Sequence, residues 1–213
     1  MSVVLYGFWR STATYRARIA LNWKRIDYET RAVDIRHGAQ DERAYRGMNA
    51  QGRVPWLIDG EVGLGQSLAI IEWLEETRPE PPLLPRDPAR RARVRQAAAI
   101  IACDVQPLGN IGVLRRLVGQ FCADQSATDA WAAHWIVQGF AALEAIAAET
   151  DGPYLIGTSV TLADVCLVPQ MYNARRFGVD LVEFPRLVAA DSALNELPAF
   201  VAARPEAQPD AAV

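Results

Sequence analysis

The sequence predicts an α/β domain followed by an all-helical domain, and three observations carry that reading. Strand-like and helix-like apolar patterns alternate from Val3 to Glu76, in the order βαβ and then ββα. The run Pro79-Glu80-Pro81-Pro82, followed by Pro85 and Pro88, makes a stiff connection that neither a helix interior nor a central strand can contain. Past it, strand signals nearly vanish and the long stretches carry helical spacing. The boundary falls at residue 82, giving domains at 1–82 and 83–213.

In the first domain, Val3-Val4-Leu5-Tyr6 is the opening strand, and Trp9 to Arg18 reads as a strand-to-helix turn. The helix it opens runs to Lys24-Arg25. Tyr28 to Val33 is the second strand, and a right-handed crossover sets the two strands parallel, with the helix against one sheet face. The polar region from Gly38 to Gly52 contains a short helix through Asp41 to Arg46. Val54-Pro55-Trp56-Leu57-Ile58 is an apolar strand with proline second, and Asp59-Gly60 turns it into a short strand from Glu61 to Leu64. Asp-Gly between apolar runs is a strong hairpin signal. Gln66-Ser67 opens a helix in which Leu68, Ile71 and Leu74 share a face and which Pro79 ends.

In the second domain, Ala89 to Val118, Ser126 to Glu149, Thr161 to Phe177 and Pro185 to Ala203 read as helices. Thr161-Leu162-Ala163-Asp164 has capping-box spacing, which fixes a buried helix start. Arg86, Arg90, Arg91, Arg93 and Arg95 form a basic run whose interleaved alanines suit a solvated helix face better than a nucleic-acid surface. The tail from Arg204 to Val213 is short, polar and proline-containing, and is expected to be mobile.

Composition narrows the function classes. A chain of 213 residues, 51% hydrophobic and 22% charged, can bury a sizeable core, and its net charge of -3 offers no general attraction for nucleic acid. No bilayer-length run is free of charge, so no membrane partner is expected. Cys103, Cys122 and Cys166 are odd in number, widely spaced and set among apolar residues, which suits buried free thiols in a reducing, cytoplasmic setting. His37 and His134 lie outside every motif, and no cluster has metal-ligand spacing, so no metal is expected.

Three places point to chemistry. Ser11, Thr12 and Thr14 sit where the first helix begins, beside Arg10 and Arg16, and helix N-termini favour negative charge. The plainer role for Ser11 is an N-cap. Gln66-Ser67 repeats the arrangement, offering a hydroxyl and free backbone N–H groups to a carboxylate. Pro55 cannot donate to a sheet ladder: a trans bond suits an edge strand, whereas a cis bond turns the Val54 backbone outward toward an extended peptide ligand.

The pattern Arg10-Ser11-Thr12-Ala13-Thr14-Tyr15-Arg16-Ala17-Arg18, then Asn49, Val54-Pro55 and Gln66 to Glu76, resembles the zeta class of glutathione transferases, which includes maleylacetoacetate and maleylpyruvate isomerases. The likeness extends through Gln106-Pro107-Leu108-x-Asn110, Thr161 to Asp164, Leu167 to Gln170 and Asn173 to Leu181. It implies a thioredoxin-like glutathione-binding domain, an all-helical domain supplying most of the second-substrate pocket, and a homodimer. By the same likeness Ser11 supports the glutathione thiolate, Val54 beside Pro55 pairs with the tripeptide backbone, and Gln66 and Ser67 hold the γ-glutamyl carboxylate. Gln51, Gln106 and Asn110 add contacts. The family's turn commonly reads serine, serine, cysteine; here it reads Ser11-Thr12-Ala13, so a mechanism needing that cysteine is closed, while Thr12 keeps a hydroxyl and narrows the site.

The isomerases of this family add the glutathione thiolate to a conjugated cis double bond, allow rotation, and eliminate to the trans isomer. A thiol with pKa about 8.5 needs roughly 2.7 kcal/mol to ionise near 6.5. One hydroxyl donor to a charged group is worth about 1.5–3 kcal/mol and a helix N-terminus roughly 0.3–1 more, so the turn suffices without a base or a metal. Dicarboxylate substrates call for fixed positive charge, which Arg10 and one of Arg175 and Arg176 supply, unless that last pair only caps a helix C-terminus. The expected activity is glutathione-dependent isomerisation of maleylacetoacetate or maleylpyruvate in aromatic-compound catabolism. The alternatives are a general zeta-like transferase that conjugates or dehalogenates small electrophilic acids, and a non-catalytic interaction protein on the same fold.

Overall fold

A computed structural model describes residues 3–211. The chain divides into two compact units: the first ends at Pro82 and takes up the chain again from Leu197, and the second runs Leu83–Glu196.

The first unit is built on a four-stranded sheet. Strands β1 (Val3–Gly7) and β2 (Tyr28–Ala32) are parallel, as the crossover through helix α1 (Thr12–Trp23) requires. Strands β3 (Trp56–Asp59) and β4 (Val62–Gly65) form an antiparallel hairpin through Gly60, whose φ of 66° is the left-handed conformation that glycine adopts without cost. The sheet order is β2-β1-β3-β4, with β1 antiparallel to β3. Leu5 pairs with Leu57 and Leu57 with Leu64 across the sheet; the first two are fully buried. Each such side chain stabilises the fold by about 1.5–3 kcal/mol. Helix α3 (Ser67–Thr77) packs on α1 and buries Ile70, Ile71 and Leu74, while α1 buries Ile19 and Leu21. Between α1 and α3 in the chain comes α2 (Arg43–Met48), whose Tyr45 meets the Tyr6 ring edge-on at 6.3 Å. Tyr6 alternates with Leu5 along β1, so α2 lies on the sheet face that Leu5 turns away from.

The proline at the second position of the expected 54–58 strand shifts the ladder. Pro55 has no N–H to give, its bond to Val54 is cis, and pairing starts at Trp56.

The second unit is helical: α4 (Pro88–Ala99), α5 (Ile111–Phe121), α6 (Gln125–Ala147), α7 (Leu162–Arg176) and α8 (Pro185–Leu194). Asp87 and Asp124 cap α4 and α6, accepting from the N–H groups of Arg90 and Ala127 at 2.8 Å. The capping box opens α7: Asp164 accepts from the Thr161 N–H at 2.7 Å and hydroxyl at 2.9 Å, and from the Leu155 N–H at 2.8 Å. Buried completely, Asp164 has its carboxyl pushed up to about 6 by desolvation, against those hydrogen bonds.

Four expectations change. The helix expected over 89–118 is interrupted by a π-helical turn at Ile100–Val105 and a 3-10 turn at Gln106–Gly109, where Pro107 lacks an N–H. Among the described residues, Pro88–Phe121 is long and apolar enough by composition to cross a membrane, but it carries these breaks together with Asp104 and Asn110. The helix expected over 185–203 stops at Leu194 and restarts as α9 (Pro198–Ala203), because Asn195 turns its side chain back to the Asp191 carbonyl and Pro198 can begin a helix but not continue one. Of the three free cysteines only Cys166 is buried; Cys103 sits exposed on the π turn, and Cys122 ends α5 in a left-handed conformation, φ 53°.

The fourth change concerns the C-terminal stretch from Leu197, assigned above to the second domain and to a mobile tail. It packs on the first unit: α9 lies against α1, the Asn22 amide donates to the Ala199 carbonyl at 3.1 Å, and Asp210 accepts from the Trp9 N–H at 3.0 Å. The last two residues of that tail lie outside the described residues.

Candidate functional site

Sheet register brings three sequence-predicted segments to one end of the first unit's sheet. Tyr6 pairs with Trp56 and Trp56 with Gly65. The turn after β1, the Val54-Pro55 peptide before β3 and the Gln66-Ser67 pair after β4 therefore all lie at that end. Residues 201 positions from one another in sequence also meet there, since Asp210 bonds Trp9.

Ser11 is the N-cap of α1. Its extended backbone (φ -68°, ψ 119°) lets its Oγ accept from the Thr14 N–H at 3.3 Å, while its carbonyl accepts from the Tyr15 N–H at 2.8 Å and its own N–H donates to the Phe8 carbonyl at 3.0 Å. The 3.3 Å cap is long for an N–H···O bond, so the hydroxyl is held at the helix start without being consumed there. Thr12 is buried in the first turn, and Arg10 lies half-buried with its guanidinium 5.3 Å from the centre of the Trp9 ring. The helix dipole adds a positive field where Ser11 stands.

Gln66 takes φ 64°, a conformation that residues with a Cβ seldom adopt, and its amide donates to the Gln51 Oε1 at 2.8 Å. Ser67 begins α3 and is buried, and the Arg16 guanidinium donates to its Oγ at 3.4 Å. Arg16 is itself 1% exposed. A hydroxyl, a guanidinium and a helix N-terminus thus converge at one point, a donor set that fits a carboxylate. Beside it, the Asn49 amide and the Tyr45 hydroxyl both donate to the Arg53 carbonyl, at 2.7 and 2.6 Å, which fixes the chain entering Val54. Asn49 Oδ1 also accepts from the Gln51 N–H at 3.2 Å.

The remaining predicted residues belong to the second unit. Gln106 donates to Asn110 Oδ1 at 2.6 Å across the 3-10 turn. Arg175 and Arg176 end α7 exposed: Arg175 donates to Asp191 at 2.5 Å, and Arg176 lies over the Phe177 ring at 4.3 Å. Among the described residues, no three of His, Cys, Asp and Glu are grouped as metal ligands.

Sequence reading missed the reach of Arg16 to Ser67, the anchoring of Arg53 by Tyr45 and Asn49, and the contact of Asp210 with Trp9. Arg16 had a signal, since an arginine among apolar helix positions must find a partner; Asp210 had none.

Residues 5–82 match the family model for the glutathione S-transferase N-terminal domain. A probable maleylacetoacetate isomerase of Vibrio cholerae is 46% identical over 99% of this chain and 99% of its own. A holo structure of a maleyl pyruvate isomerase, a bacterial zeta-class glutathione S-transferase, is 48% identical with TM-score 0.96 over 97% of this chain and 99% of its own. The maleylacetoacetate isomerase of Anaeromyxobacter dehalogenans 2CP-1, solved with dicarboxyethyl glutathione and citrate in its active site, is 42% identical with TM-score 0.87 over 99% of this chain and 94% of its own.

Proposed function

Since the chain belongs to the glutathione S-transferase family, in the zeta class that holds these isomerases, we propose that it is a glutathione-dependent cis–trans isomerase of maleylacetoacetate or maleylpyruvate. The observation that carries this is the meeting of three segments at one sheet end, with the Ser67 hydroxyl and Arg16 paired at a helix start.

Glutathione fits this donor set. Ser67, backed by Arg16, and Gln66, braced by Gln51, would hold its γ-glutamyl carboxylate at the start of α3. The Val54 backbone, ahead of the ladder that starts at Trp56, would pair with its peptide groups. When bound, glutathione supplies the thiolate that adds to the conjugated cis double bond and leaves once rotation has occurred.

This chain's residues make that possible by electrostatics and position. Ser11 donates its hydroxyl to the sulfur and lowers the free energy of its anion, aided by the N-terminus of α1. Thr12 shapes the turn from its buried place beside it. Arg10 offers a planar fork to one substrate carboxylate, its orientation set by the Trp9 ring. Gln106 and Asn110 as glutathione contacts, and Arg175 or Arg176 as a second carboxylate partner, are part of the proposal and are tested by substitution. So are a homodimer, checked by sedimentation, and a cytoplasmic location, which the exposed free thiols Cys103 and Cys122 favour.

The test is the decay of cis-enone absorbance for both acids with and without glutathione. Turnover only with glutathione is the expected result. Absence of glutathione-dependent turnover of either acid overturns the isomerase reading.

A further inference from the structure

We propose that the C-terminal segment clamps the Trp9–Ser11 turn, with Asp210 and Arg18 as positioning residues for the isomerisation, an inference that rests on the function assigned above. Both polar backbone groups of Trp9 are taken up. Its N–H donates to Asp210 Oδ2 at 3.0 Å, and its carbonyl accepts from Arg18 Nη2 at 2.9 Å. The same guanidinium donates through Nε to the Ala203 carbonyl at 3.0 Å. Trp9 is thus tied to the C-terminal segment twice, once directly and once through Arg18.

The geometry gives these ties their leverage. Trp9 lies inside the tight turn that the Ser11 N–H closes onto the Phe8 carbonyl, so fixing Trp9 fixes the backbone from which Arg10 and Ser11 project. Arg18 is 1% exposed and its side chain cannot swing away without opening the packing of α1. Burial pulls its pKa down to about 10, which leaves it charged at neutral pH. Asp210 is delivered to its place by the segment's own hydrogen bonds: the Gln208 amide donates to the carbonyls of Ala202 at 3.0 Å and Arg204 at 2.8 Å, folding the chain back around the 3-10 turn Pro205–Ala207. Asp210 is partly exposed and belongs to none of the apolar core. Its carboxylate also faces the charges of Arg18 and Arg36.

The experiment compares Asp210→Ala with Asp210→Asn in the full-length chain. Asparagine keeps a carbonyl oxygen for the Trp9 N–H, and alanine keeps nothing. In the alanine variant, amide hydrogen exchange across Phe8–Tyr15 is expected to accelerate, and kcat to fall about tenfold because small misplacement of reacting groups is costly, while KM for glutathione stays within about twofold. The asparagine variant is expected to keep both exchange and kcat near the unaltered protein's. An alanine variant with unaltered kcat overturns the proposal, as does equal loss of kcat and of glutathione affinity in both variants. If the unaltered protein shows no glutathione-dependent turnover, the functional reading fails instead. The exchange measurement then decides the clamp alone, unchanged exchange overturning it.

Discussion

Arg16 and Ser67 join the two helix starts of the first unit: the buried guanidinium of α1 reaches 3.4 Å to the hydroxyl that opens α3. They lie 51 positions apart in sequence, and each alone has an ordinary role, Arg16 as a helix arginine and Ser67 as a first-turn serine. Together they place a fixed cation behind a hydroxyl at a positive helix end, an arrangement of use to a bound anion.

Ser67→Ala removes that hydroxyl at a helix position where alanine is well tolerated. A hydrogen bond to a charged group is worth about 1.5–3 kcal/mol, so the Kd of glutathione is expected to rise by roughly tenfold or more. Titration calorimetry measures it, with kcat at saturating glutathione expected to change far less. An unaltered Kd removes Ser67 from the binding of the carboxylate.

Ser11 has two roles, cap and thiolate donor, and a pair of substitutions separates them. Ser11→Ala loses the cap and is expected to cost about 0.5–1 kcal/mol of stability, whereas Ser11→Gly costs only a few tenths. Both lose the hydroxyl, so both are expected to lower kcat/KM by roughly ten- to a hundredfold. A glycine variant with full activity would show that Ser11 is an N-cap and no more.

Arg175, at the end of α7, and Arg10, on the turn before α1, should behave differently. Arg175 donates to Asp191, a carboxylate only 3% exposed, from a side chain that is itself half exposed. Arg175→Ala is therefore expected to lower stability by about 1 kcal/mol, seen in urea unfolding, and to leave KM for the acid within about twofold. Arg10→Ala, by contrast, is expected to raise that KM about tenfold with little loss of stability. The reverse pattern would move the substrate carboxylate to Arg175.

Local signals made much of this fold legible. Asp59-Gly60 announced the hairpin, and Thr161 with Asp164 the start of α7, because each depends on chemistry within a few residues. The long-range ties were not legible. Nothing in the polar tail distinguishes Asp210 from a solvated residue, since its partner is the backbone N–H of Trp9, which any residue there except proline would present. The break within 89–118 was also hidden, for alanine and isoleucine keep helical spacing through the π turn and only Pro107 marks the change. At the site, spacing singled out Ser11, Val54-Pro55 and Gln66-Ser67 one by one. Their common location follows from the register of Tyr6 with Trp56 and Trp56 with Gly65, a property of the assembled sheet.

Asp164 yields a test in which pH and substitution combine. Fully buried, it accepts from two backbone N–H groups and the Thr161 hydroxyl, and desolvation nevertheless raises its carboxyl from 3.8 to about 6. The folded chain thus binds its proton more tightly than the unfolded chain does. Between these two values the folded state holds more protons, so this residue's contribution is full below the unfolded pKa and is lost as pH rises through the folded one. Asp164→Asn has no such titration and sets an amide N–H₂ against N–H donors, so at low pH it is less stable by roughly 1–3 kcal/mol. The gap between wild type and Asp164→Asn is expected to be widest near pH 4 and to narrow toward pH 7, measured by urea unfolding across that range. Groups elsewhere titrate alike in both proteins and cancel in the difference. A gap that instead widens with rising pH means that the three donors outweigh burial and hold the Asp164 carboxylate ionised in the folded chain.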